Sequence, residues 1–157
     1  MIKKILDRIN AVQVLFGGLF LVMMVLLTCA NIFFREFGLP VRGTYELMGF
    51  FGAVIFALSL AFSHEKKEHL YVNIIYDRLP ASLKRVFSII NKAVCLGFFF
   101  ILAYQLVKKA FVLKEVGELS ETLRISYYPF ILVTAFGVFV LAVLLLYELV
   151  LKIGGRE

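Results

Sequence analysis

This chain has too little charge and too few polar residues to cover the surface of a soluble domain. Charged residues make up 18% of its 157 positions, tryptophan is absent, and no charge occurs between Arg8 and Arg35. A soluble core of this length needs many more polar positions around it. Cysteine is scarce as well. Cys29 and Cys95 both lie inside apolar runs, which excludes a disulfide framework and suits two small buried hydrophobes. There is no P-loop, nucleophile elbow or glycine-rich dinucleotide fingerprint. With no catalytic constellation, the chain reads as a non-enzyme without a cofactor. Nor is there an internal repeat, a low-complexity tract or a linker, so residues 1–157 read as a single membrane domain.

Apolar residues dominate instead. They make up 62% of the sequence, and the mean hydropathy is +0.93. Four apolar segments follow one another, at about 11–34, 44–63, 86–107 and 126–148. Each is near the ~20 residues that cross a ~30 Å hydrocarbon core. Backbone polar groups in lipid must be satisfied within the segment, so the segments are helices. The basic N-terminus MIKKILDRIN leads into a run too long for the core of a cleaved signal peptide. The expected fold is all-α integral membrane, with four transmembrane helices.

The basic residues flank these runs, so the net charge of +6 points to topology signals and lipid headgroups, not to nucleic acid. With the N-terminus inside, inner segments hold 10 Lys and Arg against 6 in outer segments. Both termini are therefore expected in the cytoplasm. Between the second and third spans, Leu70, Ile74 and Leu79 lie near one helical face. A short amphipathic interfacial helix is expected there, over about 67–79, ending before Pro80. An ordinary solvated loop is the alternative.

The stretch Thr44–Arg85 organises the rest. Gly49, Ala53, Ala57 and Ala61 fall four residues apart, among bulky neighbours such as Phe50, Phe56 and Leu58. A stripe of small residues lets another helix approach closely, in this chain or in a partner. Glu46 crowns the stripe. It pairs either with Arg42 one turn earlier or with a partner subunit or Arg35. Lys92 is the other ionisable residue within a span. Snorkelling to the headgroups accounts for it better than ion translocation. His64 and His69 are five apart and share no helical face, so a metal site is not expected. Gly17-Gly18 reads as a packing feature of the first span. Gly117 suits the stop of an extended third helix, and Ser120 with Thr122 the cap of the fourth.

Several functions are disfavoured. A self-sufficient transporter shows inverted repeats, broken helices or a central carboxylate. A small multidrug exporter carries an acid deep in its first span, and here none lies between Asp7 and Glu36. A haem-bearing subunit needs histidines within its spans. A small homo-oligomeric four-helix channel or exporter stays as the alternative, with only Thr28, Asn31 and Ser59 as polar lining in the first two spans.

A set of short motifs in order resembles one family. Arg35 ends the first span in FFREFG, before Pro40. Glu46 opens the second in YELMGF, before Gly52. His69 begins HLYVN, followed by DRLP at Asp77 to Pro80. GELSETLRI, Gly117 to Ile125, precedes the last span. Together these are similar to the small, Q-type (DctQ-like) membrane subunit of tripartite ATP-independent periplasmic (TRAP) transporters, over about residues 8–150. Asn73 stands where an aspartate is common in the family, so the substrate stays open. The resemblance implies a multi-pass protein of the bacterial inner membrane, with no catalytic role. It implies partnership with a large multi-span permease subunit and a periplasmic substrate-binding protein. Sodium and an organic acid, such as a dicarboxylate or a sialic acid, are then symported through the large subunit. Arg35, Glu46, Gly49, Ala53, Ala57, Ala61 and His69 are the candidate subunit-interface residues.

Overall fold

A computed structural model describes residues 2–65 and 81–153. They form four helices, α1 (Ile2–Glu36), α2 (Thr44–Glu65), α3 (Ala81–Val116) and α4 (Tyr128–Ile153). No strand occurs among the described residues, only an isolated bridge between Leu119 and Ser126. Each helix is long and apolar enough to span a membrane, over Leu6–Glu36, Thr44–His64, Ile89–Val116 and Tyr128–Lys152. The expected four-helix membrane fold is therefore present. The first and third helices run further than the hydropathy boundaries, because lysine and arginine favour helix as well as leucine does and continue it past the apolar run. The expected interfacial helix at 67–79, and His69 within it, lie outside the described residues.

Glycine sets two of the helix ends. Gly38 has φ +74° and Gly117 φ +69°. After α1, the Gly38 N–H donates to Arg35 O at 3.0 Å and the Leu39 N–H to Phe34 O at 3.0 Å. After α3, Gly117 N–H donates to Lys114 O at 3.3 Å and Glu118 N–H to Leu113 O at 3.1 Å. Both are Schellman stops, in which a left-handed residue turns the last free carbonyls back onto the chain. The expected stop at Gly117 is thus observed. Pro129 falls in the first turn of α4, where its missing N–H has no helical partner to lose.

The helices lie in the spatial order α1, α2, α4, α3, with each adjacent pair in extensive contact. The central place of α4 shows in its burial: 44% of its most apolar stretch is buried, against 11% for α1 and 6% for α3. α2 and α4 run parallel. Phe50 stacks on Phe130 at 4.4 Å between ring centroids, and Ala57 faces Gly137 seven residues further along both helices. α1 runs antiparallel to α2, with Phe20 against Phe51 at 5.3 Å and Thr28 against Met48. α3 runs antiparallel to α4, with Phe111 against Tyr128 at one end and Lys92 against Glu148 at the other.

The small-residue stripe divides in two. Ala57 and Ala61 are fully buried against α4, beside Val138, Val140 and Leu141. Gly49 and Ala53 are exposed. A four-residue step overshoots a helical turn by about 40°, so three steps carry Gly49 about 120° away from Ala61. The buried seam instead follows Phe50, Val54, Ala57 and Ala61, whose alternating steps of four and three keep one face. Leu58, a bulky neighbour of the stripe, is buried too, because Gly17 of α1 leaves room for it: a Cβ on Gly17 would stand 3.7 Å from the Leu58 Cβ.

The backbones of α2 and α4 approach closely at Gly137, where a Cβ would meet Ala57 O at 2.5 Å and Ala57 C at 2.7 Å. Any side chain there must drive α2 and α4 apart. Gly137→Leu and Ala57→Leu should each destabilise the isolated chain by about 1–3 kcal/mol or more, the range for overpacking. Ala53→Leu, on the exposed side, should melt within about 0.5 kcal/mol of the parent. Thermal unfolding in detergent checks both, and equal melting of all three variants would refute this packing.

Candidate functional site

Polar side chains gather at the two ends of the helix array. At one end, the loop between α3 and α4 closes on itself. Ser120 N–H donates to Ile125 O at 2.9 Å, Arg124 N–H to Ser120 O at 3.1 Å, and Ile125 N–H to Ser120 Oγ at 3.2 Å. Arg124 adopts φ +53° to complete the turn. A single helical turn of this kind leaves its leading N–H groups without internal acceptors. Glu46 of α2 supplies them: Oε1 accepts from Thr122 N–H at 2.7 Å and Oε2 from Leu123 N–H at 3.1 Å. Hydrogen bonds to an ionised carboxylate are the stronger kind.

The next contact locks the loop down. Leu123 packs where a side chain on Gly43 would be, and Gly43 has φ +74°. Gly43 is therefore required twice, for its backbone and for the space it leaves. Its carbonyl accepts the first bond of α2, from Leu47 N–H at 3.1 Å. Asn31 Oδ1 accepts from Val41 N–H at 3.0 Å and ties the α1–α2 loop to the same platform.

Two expectations change here. Glu46 was expected to pair with a cation, Arg42 or Arg35, or with a partner subunit. Its carboxylate is instead bound to two backbone N–H groups of this chain, because the loop reaches it first. Arg35 and Arg42 are exposed, with no ion pair among the described residues. Ser120 and Thr122 were expected to cap α4. They lie in the Glu46-bound turn instead, and α4 starts eight residues after Ser120, with Ile131 N–H bonded to Tyr127 O.

At the opposite end, three helices meet on one carboxylate. Glu148 Oε2 of α4 lies 2.7 Å from Lys92 Nζ of α3 and 3.2 Å from His64 Nε2 of α2. The Lys92 side chain is 13% exposed and that of Glu148 25%, so Lys92 does not reach out to headgroups as expected. The antiparallel pairing of α3 with α4 sets Lys92 and Glu148 at one depth, and direct pairing is the shorter path. Asn10 and Gln13 of α1 are buried as well, seven and four residues before Gly17 and so on the helical side that Gly17 turns to Leu58. The sequence reading missed Glu148 as the partner of both Lys92 and His64. The available signal was that Lys92 sits near the start of one span and Glu148 near the end of the next.

This triad can clamp but has little means to transport. Lys92 and Glu148 offset each other, and no group of three or more His, Cys, Asp or Glu residues suited to a metal ion occurs among the described residues. The two cysteines are free thiols, Cys29 in α1 and Cys95 in α3.

Four apolar helices fastened by polar clasps at their ends, with exposed apolar faces between, define a multi-pass membrane protein without a catalytic centre among the described residues. The family model for the tripartite ATP-independent periplasmic transporters, DctQ component, matches residues 24–155, and the chain belongs to that family. It is thus the small component of a TRAP transporter, a non-enzymatic family whose other components are a large membrane subunit and a binding protein. No curated protein matches the chain.

The two clasps should respond differently to mutation. Removing one member of a half-buried ion pair strands the other, so Glu148→Gln should cost up to about 3 kcal/mol, the lower end of the range for fully buried pairs. The double variant Lys92→Met with Glu148→Leu should recover most of it, because replacing both charges removes the unpaired one. Detergent unfolding of the two variants checks this; a double variant no better than Glu148→Gln would refute the pairing. For Glu46→Gln, the effect should be local. Amide exchange at Thr122 and Leu123 should accelerate, because a neutral amide accepts more weakly than a carboxylate, with exchange in α1 unchanged.

Proposed function

We propose that this chain is the non-catalytic small membrane subunit of a sodium-driven, binding-protein-dependent organic-acid uptake transporter of the bacterial inner membrane. It scaffolds the large, elevator-type permease subunit and helps to dock the binding protein. One observation carries the reading. Glu46 and Glu148 are committed to clasps inside the chain, while Asp7, Glu36 and Glu115 stand near helix ends. A subunit that uses its helix acids in this structural way suits a rigid scaffold better than a substrate pathway.

The exposed half of the stripe, Gly49 and Ala53, is the surface we assign to a helix of the large subunit. A Cβ on Gly49 would meet nothing within 4 Å, so the space for a close helix is open. The Glu46-bound loop, with Glu118, Glu121 and Arg124 exposed, is the rigid platform we assign to the binding protein. With both termini in the cytoplasm, this platform faces the periplasm. Sodium and substrate, a dicarboxylate or a sialic acid in class, belong to the large subunit.

The test is co-purification and uptake in vesicles with the large subunit, the binding protein and an inward sodium gradient. Gly49→Leu and Ala53→Leu should leave the chain folded yet reduce recovered large subunit several-fold. Uptake should require all three components. Transport by vesicles containing this chain alone would favour the homo-oligomeric channel or exporter and overturn the proposal.

A further inference from the structure

Four positions of α1 run down one side of the helix. Leu6, Asn10, Gln13 and Gly17 are spaced by four, three and four, the alternation that keeps to one face. Leu6, Asn10 and Gln13 are buried, and a Cβ on Gly17 would stand 3.7 Å from the Leu58 Cβ of α2. In an antiparallel pair, Gln13 lies about 6 Å from that contact along α1, and Ala61 and Phe62 lie about 4.5–6 Å from it along α2. The α2 residues level with Gln13 therefore offer it no polar side chain. Nearby, Ile9 of α1 packs against the apolar cluster of Ala61, Val140, Leu141 and Leu145. The Gln13 side chain is sealed in this seam. It is 3% exposed, and neither its Oε1 nor its Nε2 has a hydrogen-bond partner among the described residues. Interchanging the two atoms by an amide flip leaves both unmet. Asn10, also buried, comes one turn earlier on the same face. Side chains three apart on a helix have Cβ atoms about 5–6 Å from each other, a gap that one water molecule spans.

We propose that Gln13 and Asn10 hold a bound water molecule in the seam between α1 and α2. The water accepts from Gln13 Nε2–H and donates one hydrogen to Gln13 Oε1 and the other to Asn10 Oδ1. That makes about three hydrogen bonds, the usual number for a buried water. The unmet atoms select this ligand. A cation would satisfy Oε1 and leave the N–H stranded, an anion would do the reverse, and neutral amides compensate neither charge. Water donates and accepts at once. Lipid headgroups and bulk solvent do not reach a side chain this deeply buried. Buried polar groups in proteins are paired, through ordered water where no protein group serves, and hydrocarbon offers them nothing. The water lets α1 bury two amides against an apolar stretch of α2 without stranding Gln13. The site depends on this chain alone, so it stands apart from the assignment of the large-subunit surface.

The sequence makes the test direct, because Gln13 and Gln105 are its only glutamines. Gln105 is exposed on α3, so Gln105→Met leaves the fold intact and Gln13 as the one glutamine amide. The full-length variant, labelled with 15N-glutamine, is placed in lipid nanodiscs and its side-chain NH2 is examined by NMR. Cross-peaks from this NH2 to water should have opposite signs in the NOE and ROE spectra, which marks a bound water as opposed to proton exchange with solvent. Adding Asn10→Leu should abolish them. Gln13→Met in the parent chain, which keeps the length of the side chain, should lower the melting temperature, because it strips the water of two of its bonds. No water cross-peak at Gln13, or one of the same sign in both spectra, would overturn the proposal. So would a cross-peak at full intensity after Asn10→Leu. A rise in melting temperature for Gln13→Met would also overturn it, since that is the result of removing an amide that nothing satisfies.

Discussion

The structure depends on one close approach, between the backbone of α2 at Ala57 and α4 at Gly137. In water, apolar side chains would drive these helices together. In lipid the surrounding tails are as apolar as leucine, so attraction comes from contact alone. Contact needs backbones that can touch, and a Cβ at Gly137 would already overlap the Ala57 carbonyl. From this crossing the parallel pair is set in register, with Phe50 on Phe130 toward one end and His64 at Glu148 toward the other. α1 and α3 then flank the pair, each antiparallel to its neighbour.

Polar interactions finish what packing begins, and they do so only near the ends. Packing in the middle of the array fixes distance but resists sliding weakly, because one small apolar residue resembles the next. A carboxylate bonded to Thr122 and Leu123 N–H, or to Lys92 and His64, tolerates no shift of a turn. The clasps therefore set register and the loop geometry, while dispersion supplies most of the cohesion. That division explains why the few ionisable residues of the spans sit near helix ends, where water and headgroups lower the penalty for charge.

Much of the fold was legible from composition and order. Long uncharged runs mark the four spans, and Gly117 marks a stop that any residue with a Cβ would adopt at a cost. Other features needed the third dimension. The stripe from Gly49 to Ala61 is a property of sequence spacing, and helical pitch rotates half of it out of the interface. The acceptors of Lys92 were hidden because Glu148 lies 56 positions away and looks like the end of a span. Glu46 was the hardest to read. Its partners are backbone N–H groups, which every residue but proline possesses, so no residue type announces them. Only the fold of the 120–125 turn, closed by Ser120 and Arg124, exposes two of them to one carboxylate.

A scaffold and a moving carrier place opposite demands on their intramembrane acids. A carrier must leave a charged group unsatisfied in part of its cycle, so that sodium, a proton or substrate can complete it. A scaffold gains by satisfying every such group at once, since a half-paired charge in lipid invites rearrangement. Glu46, with two donors, and Glu148, with two more, follow the second pattern. Along the helices the exposed surface is mostly apolar, with small residues at Gly49 and Ala53 of α2 and rings at Phe100, Tyr104, Phe136 and Phe139 around the buried Ala103 and Ala135. Glu46, Lys92 and Glu148 are taken up by contacts within the chain, so on the scaffold reading proposed above the large subunit meets this component through apolar shape and not through those charges.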